Sequence, residues 1–89
     1  MFINLTIEVN GTRRDIRIDS DQKIKESLNV LRQSGKLPIG PMPDYFRSRL
    51  NQRPVSAYKT FSEEMVFDGD ELQAIFYPAE TNEHKEEQP

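Results

Sequence analysis

From residue 2 to residue 9 the chain alternates: Ile3, Leu5, Ile7 and Val9 are apolar, and Asn4, Thr6 and Glu8 are polar. A period of two belongs to a strand with one buried face, so a first strand is expected over Phe2–Val9. Asn10-Gly11 follows. Both residues tolerate the positive φ of a type I′ turn, so the chain is expected to return as a hairpin. The second strand is expected over 13–18, with Ile16 and Ile18 inward and Asp15 and Arg17 outward. The period then changes. Ile24, Leu28 and Leu31 stand at i, i+4 and i+7, one face of a helix. Asp19-Ser20-Asp21 offers capping oxygens at its start, and Gly35 is a natural stop. The pattern predicts a helix of about four turns ending at Ser34.

Residues 36–44 carry three prolines and one glycine and read as an ordered loop. A third strand is expected over 45–50, with Phe46 and Leu50 inward and Arg47 and Arg49 outward. Residues 51–54 read as a turn, with a weak strand over 55–58 beyond it. Ser62 is placed to cap one helical turn, with Phe61 and Val66 at the two positions of a hydrophobic staple. Asp68-Gly69-Asp70 turns the chain into a last strand over 71–77. There Leu72, Ala74 and Phe76 alternate with Gln73 and Ile75. The expected core is Ile3, Leu5, Ile7, Ile16, Ile18, Ile24, Leu28, Leu31, Phe61, Val66, Leu72 and Ala74. Phe2, Phe76 and Tyr77 are candidates for the core or for an exposed docking face.

Eighty-nine residues make one domain with a modest core and little interior for a deep active site. The domain is assigned to 1–78. Residues 79–89 are assigned to a disordered acidic tail, because they contain no large apolar residue to bury. Glu80, Glu83, Glu86 and Glu87, set against Lys85, account for the whole net charge of −3, and the rest of the chain is neutral. There is no cysteine, which excludes disulfides, zinc thiolate sites and thiol catalysis and favours the cytosol. No apolar run reaches about 18 residues, and no basic, apolar and small-residue series opens the chain. Neither membrane insertion nor a signal peptide is expected, and the location is expected to be cytoplasmic.

The element order is hairpin, helix, two strands, a one-turn helix and a final strand. That order is similar to ubiquitin and the β-grasp proteins, and the likeness covers most of residues 1–77. Its most specific stretch is Thr60-Phe61-Ser62-Glu63, then Val66, then Gly69-Asp70-Glu71-Leu72. The fold class implied is α+β, a ubiquitin-like β-grasp: a mixed four- to five-stranded sheet on one main helix with a short one-turn helix. Within that superfamily the chain resembles the YukD and EsaB group, small proteins encoded with type VII (WXG100) secretion systems. The resemblance rests on the first strand at the extreme N-terminus, on Gly69-Asp70-Glu71-Leu72 and on Phe46-Arg47. It implies a protein partner, a cytoplasmic domain of a membrane-bound secretion component. The loop 37–43 and the polar tail depart from that group.

Conjugation of a ubiquitin-like chain needs a terminal Gly-Gly, and no glycine follows Gly69. A modifier role is not expected. Catalysis is poorly supplied. His84 is the only histidine and lies in the tail, where nothing would hold it against a base. Glu63-Glu64 and Asp68/Asp70 are explained by capping and turn formation, and Asp68-Gly69-Asp70 lacks the remaining ligands of a calcium loop. No enzyme activity, cofactor or metal is expected.

Partners of ubiquitin dock on the sheet face that the helix leaves open. Here that face is expected to present Arg47 and Arg49 from the third strand, and Gln73 and Ile75 from the last. Arg13 and Arg14 stand by the hairpin turn and Arg53 in the neighbouring one. These seven residues form the candidate partner-binding face, basic with Ile75 as an apolar centre. Arginines steer an acidic partner and make bidentate contacts to carboxylate or phosphate. The plain alternative is a solvated surface whose ion pairs contribute about 0–1 kcal/mol each. Nucleic-acid binding through Arg13, Arg14, Arg47, Arg49 and Arg53 is the rival function, disfavoured by a neutral domain without a series of stacking aromatics. A homodimer through an exposed strand edge is a further option. The acidic tail could also cover the arginines in a weak, salt-screened contact.

Overall fold

A computed structural model describes residues 1–76 of the chain. The tail with His84, and Tyr77 at the expected strand end, lie outside the described residues. Five strands and one helix follow in the order β1 (Phe2–Val9), β2 (Thr12–Asp19), α1 (Ile24–Gln33), β3 (Tyr45–Ser48), β4 (Arg53–Ser56) and β5 (Glu71–Ile75). They form a single mixed sheet ordered β2-β1-β5-β3-β4. β1 pairs antiparallel with β2 and parallel with β5, while β5 and β4 both run antiparallel to β3.

The alternation in β1 does what its period requires. Ile3, Leu5, Ile7 and Val9 are all buried, and they meet Ile24 and Leu28 of the helix. Phe46, Val55, Phe61, Val66 and Leu72 complete the centre of this core, with Leu37 and Ala57 added from loops. Ile16, Ile18, Leu31 and Ala74 are only partly buried, packed at its margin. Asn10 and Gly11 both have positive φ, 51° and 82°, and Val9 pairs with Thr12 across the turn, as a type I′ hairpin demands.

The helix corrects the expected capping. It has ten residues, close to three turns, and its N-cap is Lys23 without a side-chain bond. Asp19 is engaged elsewhere: its Oδ1 accepts the Asp21 N–H and the Met1 ammonium, each at 3.1 Å. Chain neighbours replace the missing cap. The N–H groups of Ile24 and Lys25 donate to the carbonyls of Lys59 and Ala57, at 3.0 and 2.8 Å. These satisfy donors that a helix start leaves open. At the other end Gly35, with φ at 80°, closes a Schellman motif in which the Lys36 N–H reaches the Leu31 carbonyl at 2.9 Å.

β3 is two residues shorter than expected. Ser48 takes the inward position and is fully buried, whereas Leu50 lies in the turn and is 57% exposed. β4 begins two residues earlier, with Pro54 inside it. Proline fits there because β4 is an edge strand with one side free of partners. The turn at 60–66 is capped by Thr60 rather than Ser62. Thr60 Oγ1 accepts the Glu63 N–H and Glu63 Oε1 accepts the Thr60 N–H, both at 3.0 Å, a reciprocal capping box. Phe61 and Val66 are therefore not staple positions. They are core residues joined by the Val66 N–H to Phe61 carbonyl bond. Phe2 and Phe76 are exposed, and Phe76 falls beyond the end of β5.

Candidate functional site: a basic hollow on the open sheet face

The helix covers one face of the sheet. On the other, strand registers align one row across all five strands: Arg13 in β2, Glu8 in β1, Gln73 in β5, Arg47 in β3 and Pro54 in β4. The turn 49–52 carries the chain from β3 into β4 beside this row. Gln52 has φ of 55°, donates its N–H to the Ser48 carbonyl at 2.8 Å, and donates Nε2 to the Arg49 carbonyl at 2.8 Å. The row and the turn together enclose a shallow hollow of about 340 Å³, lined by Arg13, Arg47, Arg49, Gln52, Glu71 and Gln73.

Glu71 organises the charges in the hollow. Its Oε2 accepts from Arg13 Nη1 at 2.5 Å and its Oε1 from Arg49 Nη1 at 3.2 Å. The Arg13 bond, more than any other cause, holds the Glu71 carboxyl below the usual carboxylate range. The same bond raises the already high pKa of Arg13. Glu8 stands farther away, 3.7 Å from Arg13. Glu71 is mostly covered, at 17% exposure, while the Arg13 and Arg49 side chains remain 55% and 75% exposed. Arg47 is exposed, and its side chain has no hydrogen bond or ion pair among the described residues. Three guanidiniums therefore line one hollow; two of them bind its carboxylate, and the third, Arg47, keeps its donor fork open. Such a fork matches a carboxylate or phosphate bidentately.

The other expected site residues are placed elsewhere. Arg14 lies opposite Ile7, on the helix side of the sheet, and its Nε donates to the Lys36 carbonyl at 2.7 Å. Arg53 lies opposite the buried Ser48, and it donates to the Glu64 carbonyl at 2.8 Å and stands 3.6 Å from the Glu64 carboxylate. Both belong to the opposite face, which corrects the expectation of one basic surface containing them. Ile75 is on the open face but half-buried and paired with Tyr45, outside the hollow. Glu71 and Gln52 were not singled out from sequence. Glu71 stands two residues before Gln73 and so shares its face, a signal that was available.

Beneath the hollow a buried carboxylate seats its turn. Asp70 is 1% exposed. Its Oδ2 accepts from Ser48 Oγ at 2.6 Å, and its Oδ1 accepts the N–H groups of Leu50 and Glu71 at 3.1 and 2.7 Å. Among the described residues no group of three His, Cys, Asp or Glu could hold a metal ion. No helix there is long and apolar enough to cross a membrane.

The sheet order, the parallel β1–β5 pair and the single covering helix define a ubiquitin-like β-grasp fold. The ubiquitin-like domain of Dsk2 from Plasmodium falciparum superposes with a TM-score of 0.51 at 14% identity, covering 84% of this chain and 100% of that one. The ubiquitin-like domain of EccD5 from Mycobacterium xenopi does so with a TM-score of 0.50 at 19% identity, over 86% of this chain and 96% of that one. A chain of the MycP5-free ESX-5 inner membrane complex overlaps at a TM-score of 0.47 and 16% identity, over 98% of this chain and 26% of that one, too weakly to carry an argument. These identities establish the fold alone. No family model and no curated protein matches the sequence.

Proposed function

We propose that this chain is a non-conjugating ubiquitin-like interaction module, a cytoplasmic accessory of a type VII secretion system. It docks through the basic hollow onto an acidic segment in the cytoplasmic domain of a membrane-bound component. The observation that carries this reading is the convergence of Arg13, Arg47 and Arg49 on one open hollow, with Arg47 unpaired among the described residues. The secretion setting draws on the YukD and EsaB resemblance in sequence and on the likeness in fold to the EccD5 domain. A hollow in which three arginines outnumber one carboxylate orients an acidic partner and speeds its encounter. Nucleic-acid binding is a weaker reading, because Arg14 and Arg53 point to the far side and only three of the five arginines share a surface.

The test is affinity capture from the native host, with wild type beside an Arg47→Glu/Arg49→Glu double variant, each retained protein identified by mass spectrometry. The expected result is a membrane-complex protein held by wild type and lost from a variant that remains folded by circular dichroism. Identical captures from the two would refute docking through the hollow.

A further inference from the structure

β2 and β4 are the two edges of the sheet. β4 is short and carries Pro54, a common protection against pairing with another chain. β2 is different. It runs for eight residues without proline, and it pairs one-to-one with β1 along its whole length, so it has no bulge. The type I′ hairpin makes Val9–Thr12 a hydrogen-bonded pair, so residues 12, 14, 16 and 18 turn their backbone groups toward β1. The Thr6 N–H agrees, since it points away from β2 and donates to the Asp70 carbonyl. Residues 13, 15, 17 and 19 therefore present their N–H and C=O groups to the free edge. Of these, the Asp19 carbonyl already accepts the Gln22 N–H at 3.0 Å.

The side chains of those four residues read Arg13, Asp15, Arg17, Asp19, a strict alternation of charge on the open face. This order is antisymmetric about Ile16. Directly opposed residues in an antiparallel pair share a face, so a two-fold axis between copies of β2 must pass through a residue. An axis at Asp15 opposes Asp15 to itself and Arg13 to Arg17. One at Arg17 opposes Arg17 to itself and Asp15 to Asp19. Axes at 14 or 18 give fewer opposite pairs, and the first sets Arg14 against Arg14. Only the axis at Ile16 opposes Arg13 to Asp19 and Asp15 to Arg17, each twice. It also sets Ile16 against its own copy in the close, non-hydrogen-bonded position. Ile16 and Ile18 line, with Val30 and Leu31, a hollow of about 410 Å³ between β2 and α1. Both copies present this hollow beside the axis, and Val30 is 63% exposed there.

We propose that a second copy of this chain is the partner of the β2 edge, paired antiparallel in the register centred on Ile16 to make one continuous sheet with both helices on the same side. The β2 edge borders the hollow of the open face and shares Arg13 with it, and the inference does not depend on the secretion reading.

Sedimentation equilibrium on wild type, Asp15→Arg, Arg17→Asp and an equimolar mixture of the two variants tests it. Each variant alone opposes like charges at two positions, and its dimer dissociation constant should rise about 30-fold. In the mixture the reversed residues face each other, and association should return to near the wild-type value. The chain has no cysteine, so Ile16→Cys gives a second readout: mild oxidation should yield a disulfide-linked dimer, since close opposed pairs suit that geometry. A wild type that stays monomeric into the millimolar range overturns the proposal. Variants that dimerise like wild type, a mixture without recovery, or an Ile16→Cys chain that does not cross-link would do the same.

Discussion

Removing the Asp70 carboxylate should destabilise the fold far more than its place in a polar turn suggests. It is one of four buried polar residues among those described, and three donors converge on it. A hydrogen bond to a charged acceptor contributes about 1.5–3 kcal/mol net, and an orphaned buried donor costs about 1–3 kcal/mol. Against this, alanine removes the cost of holding a carboxylate away from water, several kcal/mol in a real protein. The balance for Asp70→Ala is a loss of about 3 kcal/mol. Asparagine keeps one oxygen for the N–H groups of Leu50 and Glu71. It turns its amide toward Ser48 Oγ, which can accept it while still accepting the Asn51 N–H at 3.1 Å. Asp70→Asn should therefore cost about 1–2 kcal/mol.

Urea titration followed by far-ultraviolet circular dichroism measures both. With a slope of roughly 1–1.5 kcal/mol/M for a domain of this size, Asp70→Ala should lower the midpoint by about 2–3 M. The consequence for the candidate site is direct. Asp70 anchors the turn that carries Arg49 and Gln52, and the Arg49 N–H itself donates to the Glu71 carbonyl at 3.0 Å. An Asp70→Ala midpoint within about 0.5 M of wild type, or an asparagine variant as damaged as the alanine one, would refute this account of the buried carboxylate.

Three further outcomes are expected. Thr60→Ala should cost about 1 kcal/mol by opening the capping box, whereas Ser62→Ala should stay within about 0.5 kcal/mol of wild type; equal losses in chemical denaturation would contradict the observed cap. Phe46→Ala should cost about 3–5 kcal/mol and Leu50→Ala under about 1 kcal/mol, because the first is fully buried and the second 57% exposed; calorimetry of the pair decides between them. The Glu71 carboxyl should titrate below the ordinary glutamate value of about 4.3, and Arg13→Gln should move it upward. Its native pKa is depressed, so its contribution to stability is present above the unfolded value and is lost as pH falls through the native one. Carboxyl-carbon NMR across that acidic range would count against the Glu71–Arg13 bond if the midpoint were ordinary or insensitive to the substitution.

What the sequence made legible was local and periodic. The alternation of β1, the Asn10-Gly11 turn and Gly35 after the helix each carry their instruction within a few residues, and each forms as expected. The capping box was equally local, since Thr60-x-x-Glu63 is its signature, but Ser62 offered a competing cap nearer the apolar Val66. β3 was overextended for a different reason. Ser48 is polar yet occupies a core position, because its hydroxyl has a partner, Asp70, twenty-two residues away. Periodicity weighs each side chain by its own polarity and has no access to a remote acceptor. Pro54 misled in the same way. It reads as a turn residue until the sheet order shows that β4 is an edge.

The division of the arginines was a matter of register rather than composition. Once Val9 is inward and Asn10-Gly11 makes a two-residue turn, Thr12 and Arg14 must share the face of Ile7, and Arg13 must share that of Glu8. The hairpin alone thus separates Arg13 from Arg14, although they are neighbours in the chain. Arg53 needed one more fact, the four-residue turn 49–52 that places it opposite Ser48. Glu71 became visible last, because its role depends on both outer halves of the sheet. It stands on β5, between β1 and β3, within reach of Arg13 from one side and Arg49 from the other. Glu71 offsets part of the mutual repulsion between arginines that arrive from β2, from β3 and from the turn after it. That carboxylate also holds two of the three forks partly occupied, which leaves Arg47 as the first contact open to an acidic partner.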